Sequence, residues 1–135
     1  MASRREARRQ AIDVLFQADL TGVDGRRILA QWQAAGRTVD PFAEELVEGV
    51  TAARNEVDAL LAAHSEHWAL DRMAGVDRTI LRVATYELLH RPDVPPAAAI
   101  DEAVRAAKEL STEDSGAFVN GILGRIVQDA GSAPS

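Results

Sequence analysis

An all-α fold is what this chain predicts. Alanine and leucine are abundant, aromatic residues make up only 4% of the sequence, and runs of β-branched residues are scarce, so the composition favours helix over sheet. No stretch alternates apolar and polar residues with the period of two that a half-buried strand requires, whereas spacings of three and four recur along the chain. At 135 residues it suits one domain with a substantial core of its own.

The helices follow in order from their start and stop signals. Ser3 and Glu6 stand in capping-box spacing ahead of a first helix whose core face is Ala7, Ala11, Val14, Leu15 and Ala18. At about 100° per residue, Arg5, Arg8, Arg9, Ile12 and Phe16 fall together on a flank beside that face, with the aromatic ring below a ladder of guanidinium groups. The turn Thr21-Gly22-Val23-Asp24-Gly25 follows, and Asp24 caps a short second helix carrying Ile28, Leu29 and Trp32. Gly36 ends it. Asp40 and Pro41 then supply an N-cap and a first-turn proline for a long third helix in which Phe42, Leu46, Val50, Ala53, Val57, Leu60 and Leu61 keep helical period until about Ser65.

A short element around Trp68 and Leu70 leads to Asp71, read as the cap of a central helix that runs to about His90. This helix carries the densest apolar pattern in the chain: Val76, Ile80 and Val83 form one row, Leu81, Ala84 and Leu88 the next. An arc that broad implies neighbours on more than one side. Asp77, Arg78, Arg82 and Glu87 interrupt it and must pair or reach the surface, because an unpaired buried charge is costly; Asp77 and Arg78, at the helix start, mark the expected place for a partner. Arg91-Pro92-Asp93-Val94-Pro95-Pro96 breaks the helix. The sixth element then places Ile100, Ala103, Val104 and Ala107 inside. Capping candidates from Ser111 to Ser115 open a last helix with Phe118, Val119, Ile122, Leu123 and Ile126. Gly121 and Gly124 cost helix propensity there, which predicts close approach of a neighbouring helix. The sum is about seven helices within residues 1–130, divided near Ser65 into groups of about 1–65 and 66–130, with a disordered tail at 131–135.

Absences narrow the function. The chain has no cysteine, hence no disulfide and no thiolate ligand or nucleophile. It shows no apolar run of membrane-spanning length, and its N-terminus is charged where a signal peptide would be apolar; a cytoplasmic protein is expected. No nucleophile elbow, metal motif or Gly-rich phosphate loop is present, so neither an enzyme nor a cofactor is expected. His64 and His67, with Glu66 or Asp71, lack a third histidine and fall where a helix is ending, which does not make a metal site.

The charge is more informative. A net charge of −6 argues against indiscriminate nucleic-acid binding, yet Arg4, Arg5, Arg8 and Arg9 are opposed only by Glu6 in the first turns. Arginines with a nearby aromatic ring suit the phosphates and unstacked bases of single-stranded RNA; the plainer reading is a solvated charged end with a half-buried Phe16. Glu113-Asp114-Ser115 with Phe118 and Asn120 is a second candidate, either a helix start that meets an anion or base, or simple self-capping over a core phenylalanine.

Four stretches together resemble the NusB family of bacterial transcription antitermination factors. They are Ser3-Arg4-Arg5-Glu6-Ala7-Arg8-Arg9-Gln10-Ala11 with Leu15-Phe16, the central segment from Gly75 to Leu88, the segment from Val94 to Val104, and Asp114-Ser115-Gly116-Ala117-Phe118-Val119-Asn120-Gly121-Ile122-Leu123. The resemblance implies two three-helix groups packed roughly perpendicular, no enzymatic activity, and a role in which the protein joins the ribosomal protein NusE, binds boxA-type single-stranded RNA and enters an RNA polymerase antitermination complex. It assigns RNA contacts to Arg4, Arg5, Arg8, Arg9, Phe16, Asp114 and Phe118, and NusE contacts to Asp71, Asp77 and Arg78. Two departures stand out: Phe16 replaces a frequent tyrosine, and Ala117 replaces a basic residue of some members. The alternative is a protein-only helical adaptor or homodimer, with the acidic third helix or a dimer face as its working surface.

Overall fold

The computed structural model describes residues 3–65 and 69–132. Glu66, His67 and Trp68, and residues 133–135 of the expected tail, lie outside the described residues. The described chain forms helices α1 (Arg4–Thr21), α2 (Gly25–Ala34), α3 (Pro41–Ala52), α4 (Arg54–His64), α5 (Gly75–His90), α6 (Pro96–Leu110) and α7 (Glu113–Ser132), with a 3-10 turn at Leu70–Arg72. The all-α fold expected from composition and periodicity is therefore the fold observed.

The predicted caps act as predicted at three helices. Ser3, Asp24 and Asp40 accept hydrogen bonds from the amides of Glu6, Arg26 and Phe42, satisfying donors that a helix start leaves open. At the other end of α1, Gly22 takes the left-handed conformation (φ 74°), which glycine adopts without a Cβ penalty. At α7 the cap is Thr112, whose Oγ1 accepts from the Ser115 amide at 3.0 Å.

α5 lies at the centre, packed against α1, α3, α4, α6 and α7. Ile80 and Leu81 are at most 1% exposed and meet a single core that includes Ile28, Leu46, Leu61, Ile122 and Leu123. The helices α1, α2 and α3 pack on one another, whereas α4 packs on α5 and α7. His64 joins this second group through Asp129 (Nε2 to Oδ2, 2.7 Å), and Arg125 donates to the His64 carbonyl at 2.9 Å.

Several expectations need correction. The long third helix is two helices: the chain turns at Ala53, and α4 belongs with the C-terminal group, so the division falls near residue 53 rather than near Ser65. Apolar period continues through the break because both helices wrap the same core. The end of α3 is also weakened locally, by Gly49 and by the Thr51 hydroxyl, which bonds back to the Val47 carbonyl at 2.7 Å. Asp71 lies in the 3-10 turn and caps nothing; Ala74 precedes α5 with no side-chain cap. Ile12, expected on the flank, is 5% exposed and part of the core.

On α6 the buried face is an alanine strip, Ala99, Ala103, Ala106 and Ala107, while Ile100 and Val104 are only half buried. Small side chains win this face because they let α6 approach its neighbours closely. The close approach predicted at Gly121 and Gly124 is absent: a Cβ on Gly124 would meet nothing within 4 Å, and one on Gly121 only the Arg125 side chain. It occurs instead at Gly49, where a Cβ would lie 2.2 Å from the Tyr86 ring. Finally, α7 continues to Ser132, past its expected end at Asp129.

Candidate nucleic-acid interface

The four arginines of α1 leave the helix on two sides. Arg4 and Arg8, one turn apart, point toward α3 and the end of α5. The Arg8 guanidinium grips Glu87 of α5 with Nε at 3.0 Å from Oε2 and Nη2 at 2.7 Å from Oε1, and the two side chains are 11% and 1% exposed. Arg4 stands 3.5 Å from Asp93 in the turn after α5. Arg4, Arg8 and Arg91 also surround the ring of Phe42, at 4.5, 5.4 and 5.1 Å from its centre, distances at which a cation is drawn to the ring face. The aromatic ring beneath guanidinium groups is therefore Phe42 rather than Phe16. No spacing within α3 could have shown this, because the arginines come from α1 and from the turn after α5.

Arg5, Arg9 and Phe16 run along the other side of α1, toward α6 and the start of α5. Arg5 makes a two-pronged pair with Glu102 of α6, and Arg9 pairs with Glu109 one helical stretch further on. The Arg5 hydrogen bond holds the Glu102 carboxyl below the usual carboxylate range, against the opposing effect of burial. Phe16 lies over Gly75: a Cβ there would sit 3.0 Å from the ring, so the missing side chain is what allows this half-buried ring to rest against the first turn of α5.

Asp114 and Phe118 reach the same end of α5 from α7. They share a surface hollow with Arg72, Met73, Ala74 and Asp77. Asp114 is exposed and Phe118 half buried, one turn apart. Of the two outcomes expected for Asp77, pairing or reaching the surface, it takes the first: it is 7% exposed, and its Oδ2 accepts from the Ser115 hydroxyl at 2.9 Å. Its Oδ1 has no hydrogen-bond partner among the described residues.

Arg78 is likewise occupied. It donates to the carbonyls of Leu70 and Met73 at 2.7 and 3.1 Å and to Asp19 at 2.6 Å. Asp19 also accepts from Arg82, which reaches on to Asp58. Burial alone would push the Asp19 carboxyl up, but the hydrogen bonds and charges of Arg78 and Arg82 outweigh it and the net displacement is downward. Asp71 alone of the three expected partner contacts is exposed, on the 3-10 turn that Arg78 braces. Among the described residues no three His, Cys, Asp or Glu side chains converge as a metal site; His64 is engaged with Leu60 and Asp129, and His67 is outside them. None of the described helices is long and apolar enough to cross a membrane.

Rings and charged groups line α1 and the start of α5 in an all-helical body. Comparisons with known proteins identify the family. Residues 5–128 match the NusB family, and the chain is 52% identical over 134 residues to the transcription antitermination protein NusB of Saccharopolyspora erythraea, covering 93% of this chain and 87% of that one. The NusB protein of Streptomyces avermitilis is 47% identical over 132 residues, with 93% and 92% covered. Among solved structures, T. maritima NusB superposes with a TM-score of 0.85 at 37% identity, covering 95% of this chain and 92% of that one. A chain from a crystal structure of the antitermination factors NusB and NusE in complex with double-stranded RNA gives 0.82 at 26% identity, covering 93% and 96%. The chain belongs to the NusB family of transcription antitermination factors.

Proposed function

We propose that this protein binds boxA-type single-stranded RNA together with the ribosomal protein NusE and, within an RNA polymerase antitermination complex in the cytoplasm, promotes read-through, notably of ribosomal RNA operons. The observation that carries the reading is the set of Arg5 and Arg9 along one side of α1, Phe16 against Gly75 at the start of α5, and Phe118 and Asp114 in the hollow beside Ala74. Guanidinium groups take phosphates, and two rings one helix apart offer stacking faces for unpaired bases. The resemblance to a chain solved with NusE and RNA supports the same pairing of ligands.

Within this reading Arg4, Arg5 and Arg9 contact phosphates, Phe16 and Phe118 stack, and Asp114 accepts a hydrogen bond from a base. Arg8 acts by fixing α1 against α5 through Glu87. NusE docks at the start of α5, where Asp71 is exposed, Asp77 ties α5 to α7 through Ser115 and Arg78 holds the turn in shape.

The test is binding of a labelled boxA-like RNA with and without NusE at two salt concentrations. Tight, salt-sensitive binding enhanced by NusE is expected. No RNA binding in either condition, with the NusE complex shown to form, would overturn the reading in favour of a protein-only adaptor.

A further inference from the structure

We infer that Glu102 and Glu109 on α6 are selectivity residues of the RNA strip: they occupy Arg5 and Arg9 as internal stand-ins for phosphate and are exchanged for the phosphates of the ligand. This rests on the RNA reading above.

Every arginine of the α1 motif has a carboxylate partner, Asp93, Glu102, Glu87 and Glu109 in turn. The pairs are not equivalent. Arg8 with Glu87 is sealed between helices, whereas Arg5 is 54% exposed against 20% for Glu102, and Arg9 is 30% against 52% for Glu109. Pairs open to water are weak and exchangeable. The Arg5 pair already has the geometry a phosphate would take, with Nε at 3.0 Å and Nη2 at 2.9 Å from two carboxylate oxygens. Because Arg5 meets Glu102 and Arg9 meets Glu109, α6 sets two carboxylates in the same order along the two arginines that face it.

The consequence follows from electrostatics. A polyanion that offers charge alone must expel both carboxylates, and these then draw cations back, which cancels part of the counterion release that drives generic binding. An RNA whose bases also stack on Phe16 and Phe118 gains interactions the carboxylates cannot supply. Glu102 and Glu109 thus set one cost for every strand, which charge alone does not offset and stacking does. Asp101, adjacent to Glu102, is exposed and makes none of these pairs, so Asp101→Asn alters surface charge without freeing a guanidinium.

The experiment compares the wild type, the double variant Glu102→Gln/Glu109→Gln and Asp101→Asn. Each is eluted from heparin by salt and titrated with boxA-like and scrambled single-stranded RNA in the presence of NusE. The double variant is expected to elute at higher salt and to bind scrambled RNA about tenfold more tightly at low salt with a steeper salt dependence, the boxA-like strand gaining by a similar factor, so that scrambled RNA reaches occupancies the wild type denies it. Asp101→Asn should resemble the wild type. Equal gains in Asp101→Asn, or a double variant unchanged in both heparin elution and RNA affinity, would overturn the inference. Failure of the wild type to bind boxA-like RNA would instead refute the function above, and the heparin comparison would still decide whether α6 masks the arginines.

Discussion

On the side of α1 that faces α5, Arg8 gives its guanidinium to Glu87 in a setting almost closed to water; on the side that faces α6, Arg5 and Arg9 make pairs of the same chemistry in the open. The residue types are identical and the helix is shared. What differs is whether either partner has an alternative. Glu87, 1% exposed, has none if Arg8 is removed, whereas Glu102 and Glu109 retain water. The first pair is therefore architecture and the second is available for exchange.

The sharpest way to break this contrast is Arg8→Ala. It leaves a buried carboxylate unpaired, and a loss of about 3–5 kcal/mol is expected in urea unfolding. A loss no larger than that of Arg5→Ala would show that the two rows are equivalent. Phe16→Ala is expected to weaken RNA binding by about 1–3 kcal/mol; affinity unchanged in a fluorescence titration would remove this ring from the strip.

Acid unfolding sharpens the comparison further, through the buried network around Asp19. Arg78 and Arg82 hold its folded pKa below the unfolded value of about 3.9, so between the two values the unfolded chain binds more protons. The stability contributed by Asp19 is complete above the unfolded value and is lost as pH falls through the folded one. Asp19→Asn should flatten that limb of the stability curve measured between about pH 5 and 2; an unaltered limb would place the acid sensitivity elsewhere. Smallest of all is Arg5→Ala, expected to change unfolding stability by less than about 1 kcal/mol while weakening RNA binding and its salt dependence. A larger stability loss would make the outer row architecture too.

The fold was readable because helix caps and apolar spacing are local signals: Ser3, Asp24 and Asp40 cap as their positions foretold. Misreadings arose where the deciding contact is distant in sequence. Ile100 and Val104 look more like core than the alanines around them, and only the approach of α6 to its neighbours reverses that order. The expected helix through Ala53 kept its apolar period across a turn that reflects wrapping around α5. In the site, Phe16, Asp114 and Phe118 lie about the start of α5 while Arg5 and Arg9 stand further back along α1 beside α6, and the occupation of Arg8 by Glu87, of Asp77 by Ser115 and of Arg78 by Asp19 could not be read from any one segment. Phe42 was missed for the same reason.

The pairs that neutralise α1 span 79 residues for Arg8, 97 for Arg5 and 100 for Arg9. On a translating ribosome, which adds roughly 5–20 residues per second, the arginine-rich helix is made before α5 and α6 and waits several seconds for its carboxylates. During that interval the nascent chain carries its most basic segment uncovered, beside ribosomal RNA. Closure comes only when α5 and then α6 emerge, so the arginines meet their carboxylates only as the last helices pack.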